Sequence, residues 1–176
     1  MENEKLPHQH KIYLGMGTNC GDRLKNLMAA IDALAPEINV TRRSPIYQTP
    51  PWGFTDQPDF LNLVVEGETA LAPKTLLTKL KNLEKKVGRT ATFRWGPREI
   101  DIDILFYDNL ILSSDGLEIP HPRLHERAFV LVPLSDLTPN LIHPKLGKSI
   151  SELLAEIDTS GITLYQPGHP TQKEAE

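Results

Sequence analysis

The chain has 176 residues, a formal net charge of −4 and 39% hydrophobic residues. This length fits one domain with a sizeable core, and the mildly acidic balance argues against nucleic acid or membrane partners. The single cysteine, Cys20, excludes an internal disulfide and fits a reducing compartment. No stretch is apolar enough for a membrane span, and residues 1–11 lack the apolar run of a signal peptide, so a cytoplasmic location is expected.

The first part of the chain predicts a disordered lead over residues 1–10, a strand over residues 11–16 and then a helix. Asp22 suits the N-cap of this helix, because apolar residues recur at helical spacing behind it. The glycine-containing turn before the helix could cradle a phosphate. It has no Walker motif, so a plain strand-to-helix turn is the preferred interpretation.

Two further strands, over residues 38–47 and 60–67, flank a stiff surface loop. The loop contains three prolines, a glycine and two aromatic residues, and it is too short to favour polyproline recognition. On the second strand Phe60 and Asn62 share one face. One side chain could stack on a ring and the other could hydrogen-bond the ring edge. For this pair alone, a packed Phe and an edge Asn is the simpler interpretation.

A second helix is predicted from Pro73 to Val87. Its apolar residues recur at helical spacing, Pro73 suits the first turn, and Gly88 suits the position after the last turn. From Lys74 to Arg98 the chain has eight Lys and Arg residues and one acid, Glu84. This basic block predicts a local anionic ligand.

Residues 94–105 carry the strongest chemical signal. From residue 100 onward apolar and acidic residues alternate, so the isoleucines should face the core and Asp101 and Asp103 should share the other face, roughly 7 Å apart. Paired carboxylates suit Mg²⁺ held together with substrate phosphates, and Arg94 and Arg98 suit phosphate oxygens. Trp95 offers a flat surface for a ring. An exposed strand face with a charged lead-in loop is the alternative.

The last third of the chain predicts small elements. A short partner strand is expected at residues 110–112, and short helices at residues 130–137 and 149–157. Between His121 and Arg127, zinc binding by two histidines is disfavoured because no third ligand is evident, and phosphate contact and plain helix surface both stay open. The element order predicts an α+β, ferredoxin-like βαββαβ core, a mainly antiparallel sheet with helices packed on it. A single domain is expected over residues 11–165, with a second disordered tail expected at residues 166–176.

Five separated blocks of the sequence resemble the hydroxymethyldihydropterin pyrophosphokinases of folate biosynthesis. They are residues 15–19, 47–53, 56–62, 94–103 and 119–129. The segment Arg-Trp-Gly-Pro-Arg followed by Asp-x-Asp is a specific signature, and the resemblance covers about residues 12–154. It implies Mg²⁺-dependent transfer of pyrophosphate from ATP to the hydroxymethyl group of the dihydropterin, with AMP as the second product. It also implies two Mg²⁺ ions and a monomer.

The resemblance further implies a role for each matching residue. Asp101 and Asp103 would hold the Mg²⁺ ions and, with Arg89 and Arg98, act in catalysis. The pterin would be bound by Thr49, Pro50, Trp52, Phe60, Asn62 and Phe129. The ATP would be bound by Glu84, Arg89, Trp95, Arg98, Ile104, His121 and Arg127. Residues 90–93 lack a basic residue that some relatives carry, so the number of arginines that close over the phosphates stays open.

Two other functions are compatible with parts of the pattern. A ferredoxin-like module could stack RNA bases on its aromatic residues, but a carboxylate pair would repel RNA phosphates. An inactive relative could bind a pterin as a scaffold, although the acidic pair is intact. For the enzyme, mobile loops at residues 49–59 and 89–97 are expected to close over the substrates. Contact with a neighbouring folate-pathway enzyme also stays open.

Overall fold

The computed structural model describes residues 6–51, 53–88 and 99–167. Eight strands lie in these ranges: β1 (His10–Thr18), β2 (Ile38–Arg43), β3 (Tyr47–Thr49), β4 (Phe60–Thr69), β5 (Asp101–Tyr107), β6 (Leu112–Ser114), β7 (Leu117–Ile119) and β8 (Thr163–Leu164). The main sheet has the order β5-β1-β4-β3-β8, and β2 also pairs with β4. All of its pairings are antiparallel, while β6 and β7 form a separate hairpin.

The described helices are α1 (Arg23–Asp32), α2 (Pro73–Val87), α3 (Ala128–Leu137) and α4 (Ile150–Ala155), with a short 3-10 turn at Leu124–Glu126. Helices α1 and α2 cover one face of the sheet, and α3 and α4 cover part of the other. With β1, β4, β5 and the β2–β3 edge between them, this is the predicted ferredoxin-like α+β arrangement, so the fold prediction is confirmed. Among the described helices, none is long and apolar enough to cross a membrane.

Two hydrophobic cores share the sheet. Alternate residues of β1 point to opposite faces, so Ile12 and Leu14 pack against α1 and α2 while Tyr13 packs against α3. Each fully buried Leu or Ile contributes roughly 1.5–3 kcal/mol relative to an exposed side chain. A register shift opposite the Tyr13–Leu14 step leaves one extra residue, Leu105, in β5. This bulge lets Leu105 join the core beneath α3.

Local signals placed the helix ends correctly. The Asp22 carboxylate accepts a hydrogen bond from the Lys25 N–H at 3.1 Å, as an N-cap should. Gly88 ends α2 in the left-handed region at φ 108°. Strand β1 begins at His10, one residue before the predicted domain boundary.

Two strand predictions are wrong in detail. The strand predicted at residues 38–47 ends at Arg43, and a separate strand, β3, begins at Tyr47, because Pro45 has no N–H to donate and interrupts the ladder. Ser44 bridges the gap: its N–H donates to the Val64 carbonyl at 2.9 Å and its Oγ accepts the Val64 N–H at 3.0 Å. The expected strand at residues 110–112 begins only at Leu112 and pairs with β7 in a hairpin outside the main sheet.

Candidate active site

A cleft opens on the sheet face opposite α1 and α2, where β1, β4 and β5 lie beside the first turn of α3. Its volume is about 130 Å³. The lining residues come from all of these elements and from the end of β3: Gly15, Met16, Gly17, Thr49, Pro50, Phe60, Asn62, Leu63, Asp101, Asp103, Arg127, Phe129 and Val130. The fold therefore brings together residues that are up to 115 positions apart in the chain (15 to 130).

Gly17 lies at the centre of the cleft floor. Its neighbours across the sheet are Asn62 on β4 and Asp101 on β5. A Cβ atom at this position would fall less than 3.0 Å from Asn62 Oδ1 and 3.6 Å from a ring carbon of Phe60. Only a glycine leaves room for both side chains. The sequence analysis placed this residue in the turn after the first strand, whereas it lies inside β1. A glycine inside a strand is itself a sign of close approach.

At one end of the cleft, on β3 and β4, lies a buried polar pair. The Asn62 amide Nδ2 donates a hydrogen bond to Thr49 Oγ1 at 2.6 Å. This bond orients the amide so that Oδ1 lies on the Gly17 side of the cleft as an acceptor. Phe60 and Phe129 are both half-buried and line the same space. The structure thus brings four predicted pterin residues together, with Pro50 beside them.

At the other end lies the carboxylate pair of β5. Asp101 and Asp103 share the cleft face, while Ile102 is buried in the core on the opposite face, as the alternation predicts. The pKa of Asp103 is raised to about 7, because burial and the neighbouring Asp101 carboxylate disfavour its charged form. Two crowded oxygen ligands of this kind fit a hard divalent cation such as Mg²⁺.

His121 and Arg127 are two nitrogen-bearing side chains beside Asp103. His121 Nε2 lies 4.0 Å, and Arg127 Nη1 3.8 Å, from Asp103 Oδ2. His121 Nδ1 accepts the Arg123 N–H at 3.1 Å, which leaves Nε2 as the protonated nitrogen of the neutral ring. Burial and the Arg127 charge lower the pKa of His121 to about 4. The histidine is therefore a neutral hydrogen-bond donor towards the carboxylate end of the cleft.

Arg127 is a buried cation at the start of α3. Only 9% of the residue is exposed, and its guanidinium carbon lies 5.5 Å from the centre of the Phe129 ring. Burial lowers its pKa from the ordinary value for arginine, but arginine keeps its charge under all ordinary conditions. The side chain therefore connects the aromatic end of the cleft to the carboxylate end.

The structure does not bring the side chains of Glu84 and Ile104 to the cleft. Ile104 is 5% exposed and packs in the core with α1 and α2, because it alternates with Asp103 along the strand. Glu84 is 1% exposed, and its Oε1 accepts the Ile102 N–H at 2.9 Å. Glu84 thus ties α2 to β5 between the two aspartates. The expectation that Glu84 and Ile104 line the nucleotide stays a prediction.

Four of the predicted site residues lie outside the described ranges: Trp52, Arg89, Trp95 and Arg98. The structure does not test their roles.

The loop after β3 is fixed at its far end by a residue that the sequence analysis did not assign. Asn19 is 2% exposed, and its Nδ2 donates to Gln57 Oε1 and to the Pro58 carbonyl, both at 2.9 Å. Arg23 adds a hydrogen bond to the Asp59 carbonyl at 3.0 Å. Asn19 follows directly on β1, so the loop is held by the same strand that forms the cleft floor.

Comparison with known proteins gives a consistent result. The family model described as 7,8-dihydro-6-hydroxymethylpterin-pyrophosphokinase (HPPK) matches residues 13–139. The 2-amino-4-hydroxy-6-hydroxymethyldihydropteridine pyrophosphokinase of Aquifex aeolicus is 43% identical over 145 residues, which are 82% of this chain and 91% of the relative. The protein of the same name from Methylorubrum extorquens is 46% identical over 154 residues, 86% of this chain and 96% of the relative.

Among solved structures, a crystal structure of Plasmodium falciparum HPPK-DHPS superposes with a TM-score of 0.74 at 16% identity. The match covers 92% of this chain and 50% of the other, so the chain spans about half the length of that protein. At this level of identity the likeness concerns the fold, and it agrees with the ferredoxin-like arrangement of the sheet and helices.

Proposed function

Because the chain belongs to the 7,8-dihydro-6-hydroxymethylpterin-pyrophosphokinase family, we propose that its cleft is where pyrophosphate passes from ATP to 6-hydroxymethyl-7,8-dihydropterin. The chain is an ATP-dependent diphosphotransferase of folate synthesis. In the reaction the hydroxymethyl oxygen attacks the β-phosphorus, the bond to the α-phosphate breaks, and AMP leaves. One observation carries the assignment to this cleft: the carboxylate pair of β5 and two aromatic rings, Phe60 and Phe129, line the same space.

The aromatic end suits the pterin. Phe60 and Phe129 would sandwich the flat ring, and each offset stack contributes about 0.5–1.5 kcal/mol. Asn62 Oδ1, oriented by Thr49, would accept a hydrogen bond from an N–H group on the ring edge. A ring without that donor would leave a buried acceptor unmatched, at a cost of about 1–3 kcal/mol. This end of the cleft therefore selects for the substrate.

The carboxylate end suits the metal and the phosphates. Asp101 and Asp103 would hold two Mg²⁺ ions, because their oxygens are hard ligands and because burial and the Asp101 carboxylate raise the pKa of Asp103 when no cation is present. When bound, the ions neutralise phosphate charge and hold the reacting groups in line.

His121 and Arg127 lie within 4.0 Å of Asp103 and could therefore contact phosphates bound at the carboxylate pair. The neutral imidazole would donate from Nε2, and the guanidinium would donate while supplying a permanent positive charge. Phosphoryl transfer depends mainly on such positioning and charge stabilisation. By family resemblance, Arg89, Trp95 and Arg98 would complete the ATP site, and Trp52 the pterin site.

We further propose that the chain forms a single domain over residues 11–165 and acts as a monomer in the cytoplasm. Two cores that share one sheet support the single domain. Light scattering tests the monomer directly, since a dimer would double the measured mass.

Product analysis tests the reaction and its site together. Full-length protein is incubated with ATP, Mg²⁺ and the dihydropterin, and nucleotides are separated by ion-exchange chromatography. AMP should form only with the pterin, and Asp101→Asn and Asp103→Asn should each lower the rate by at least about 100-fold. Asp115→Asn changes an exposed carboxylate in the β6–β7 turn and is the matched control. ADP in place of AMP, or full activity in the two β5 variants, would overturn the proposal.

A further inference from the structure

A second group of metal-ligating side chains lies at the opposite end of β1 and β5. His8, His10 and Asp108 each offer one ligand atom, and these atoms all lie within 4.8 Å of one another. In the part of the chain that the structure describes, no other His, Cys, Asp or Glu group of three meets this condition. From the strand rise, Asp108 is roughly 17 Å from Asp103 along β5. The group therefore plays no part in the cleft.

The fold holds Asp108 in place through the backbone of β1. The Asp108 N–H donates to the Lys11 carbonyl at 2.8 Å, and the Lys11 N–H donates to Asp108 Oδ1 at 2.9 Å. Asp108 adopts a left-handed conformation with φ 46°, which aspartate tolerates better than most residues. One carboxylate oxygen is thus held by the backbone while the other, Oδ2, faces His10. Such backbone support is typical of carboxylates that ligate metals.

The two histidines lie on the same side of the chain, because they are two residues apart in an extended segment that leads into β1. The His10 ring packs against Tyr107 with ring centres 4.7 Å apart, and its Nδ1 lies 2.6 Å from Asp108 Oδ2. The His8 ring meets the His10 ring edge to face, also at 4.7 Å between centres. Two ligands are therefore positioned by the fold, and the third is already adjacent.

We propose that His8, His10 and Asp108 bind a divalent transition-metal ion of the zinc class. Two imidazole nitrogens and one carboxylate oxygen, completed by water, form a common four-coordinate zinc environment. Mg²⁺ does not suit this group, because it prefers oxygen ligands. Metal–ligand bonds of about 2.0–2.1 Å would place neighbouring ligand atoms roughly 3.4 Å apart. His10 Nδ1 and Asp108 Oδ2 lie 2.6 Å apart. To ligate the same ion they would have to move apart by roughly 0.8 Å, which small side-chain rotations can supply.

Binding at this site would join the segment before β1 to the turn after β5. All three side chains are at least partly exposed, so an ion would enter from solvent without opening the core. The alternative is that the His10–Asp108 contact is only an ion pair that holds the end of β1. Because the site is remote from the cleft, the proposal does not depend on the reaction proposed above.

Titration with Co²⁺ separates the two interpretations, since a tetrahedral Co²⁺ ion absorbs visible light strongly. The full chain is titrated in the presence of excess Mg²⁺, so that the β5 carboxylates are occupied. We expect one Co²⁺ per chain that Zn²⁺ displaces, and a dissociation constant that rises about tenfold or more in His8→Ala and in His10→Ala. His125→Ala, which changes a partly exposed histidine elsewhere, should bind as the wild type does.

Further measurements show whether His8→Ala is correctly folded. Because His8 lies on an exposed segment, His8→Ala should keep the wild-type circular dichroism spectrum and the wild-type rate of AMP formation with Mg²⁺. Zn²⁺ should raise the melting temperature of the wild type more than that of His8→Ala. Equal Co²⁺ affinity in the wild type and His8→Ala, or an equal loss in His125→Ala, would show that the three side chains form no metal site.

Discussion

Replacing Gly17 with alanine should damage pterin binding far more than ATP binding. The added methyl group would fall less than 3.0 Å from Asn62 Oδ1, so Asn62 or β1 has to move. Either movement disturbs the Asn62–Thr49 hydrogen bond, which joins atoms only 2.6 Å apart. Loss of a hydrogen bond between buried polar groups costs about 1–3 kcal/mol of binding free energy. At about 1.4 kcal/mol for each factor of ten, pterin affinity should fall roughly 5- to 150-fold.

Gly15→Ala is the matched control for this variant. Gly15 lies two residues earlier on the same face of the same strand, but its added Cβ would meet Leu105 side-chain atoms at 3.4–3.7 Å, which is ordinary van der Waals contact. The two variants therefore share the loss of glycine from β1 and differ in the clash with Asn62. Gly15→Ala should lower pterin affinity much less than Gly17→Ala.

Isothermal titration calorimetry measures both affinities, with a non-hydrolysable ATP analogue in the cell for the pterin titration. The dissociation constant of the ATP analogue should stay within about twofold in Gly17→Ala, because Asn62 and Thr49 lie at the aromatic end of the cleft. Overpacking is also expected to lower the free energy of unfolding by about 1–3 kcal/mol, so urea melts confirm that each variant is folded during the titration. Wild-type pterin affinity in folded Gly17→Ala would refute the reasoning.

Three further variants test other parts of the structure. Hydrogen bonds from Arg42 lower the pKa of Glu66 to about 2 against partial burial, so this carboxylate stabilises the fold above its ordinary pKa and loses that effect as the pH falls towards 2. Each unit of pKa shift is worth about 1.4 kcal/mol, so the free energy of unfolding of the wild type should exceed that of Glu66→Gln by up to about 3 kcal/mol at pH 7. In urea melts this difference should shrink between about pH 5 and pH 2. A difference that does not depend on pH would contradict this. Asn19→Ala removes the hydrogen bonds to Gln57 and the Pro58 carbonyl. It should lower kcat in the AMP assay while the melting temperature changes little, and an unchanged kcat would show that the loop needs no anchor. Tyr47→Phe removes the hydrogen bond to Asp136 that joins β3 to α3, and the KM for the pterin should rise about two- to tenfold while the KM for ATP stays constant.

Local patterns were sufficient for the strand that carries the acidic pair. The period of two along β5 placed the aspartates on one face and the isoleucines on the other, and the structure agrees. Asp22 and Gly88 likewise marked helix ends through short-range chemistry, an N-cap hydrogen bond and a left-handed backbone. Each of these features depends on residues close together in the chain, which is why the sequence alone could predict them.

Features that depend on packing between distant segments could not be derived in the same way. The sequence gives no measure of how α3 lies on the sheet, and this packing alone brings Arg127 to Asp103. Family resemblance named Glu84 and Ile104 as nucleotide residues but carried no information about which way their side chains point. Because α2 packs against β5 on the face opposite the cleft, the side chains of Glu84 and Ile104 both lie on the side of β5 away from the cleft.

This packing also explains how the acidic pair keeps its position. Along one edge of β5, Asp101 and Asp103 lie opposite the two glycines of the cleft floor, Gly17 and Gly15. Along the other edge, Glu84 accepts the N–H of Ile102, the residue between the two aspartates. Because Ile102 is also fixed in the core, a shift of either carboxylate along the strand would break a buried hydrogen bond and disturb apolar packing. The carboxylate end of the cleft is therefore set by the fold before any substrate enters, which is the preorganisation that the proposed phosphoryl transfer requires.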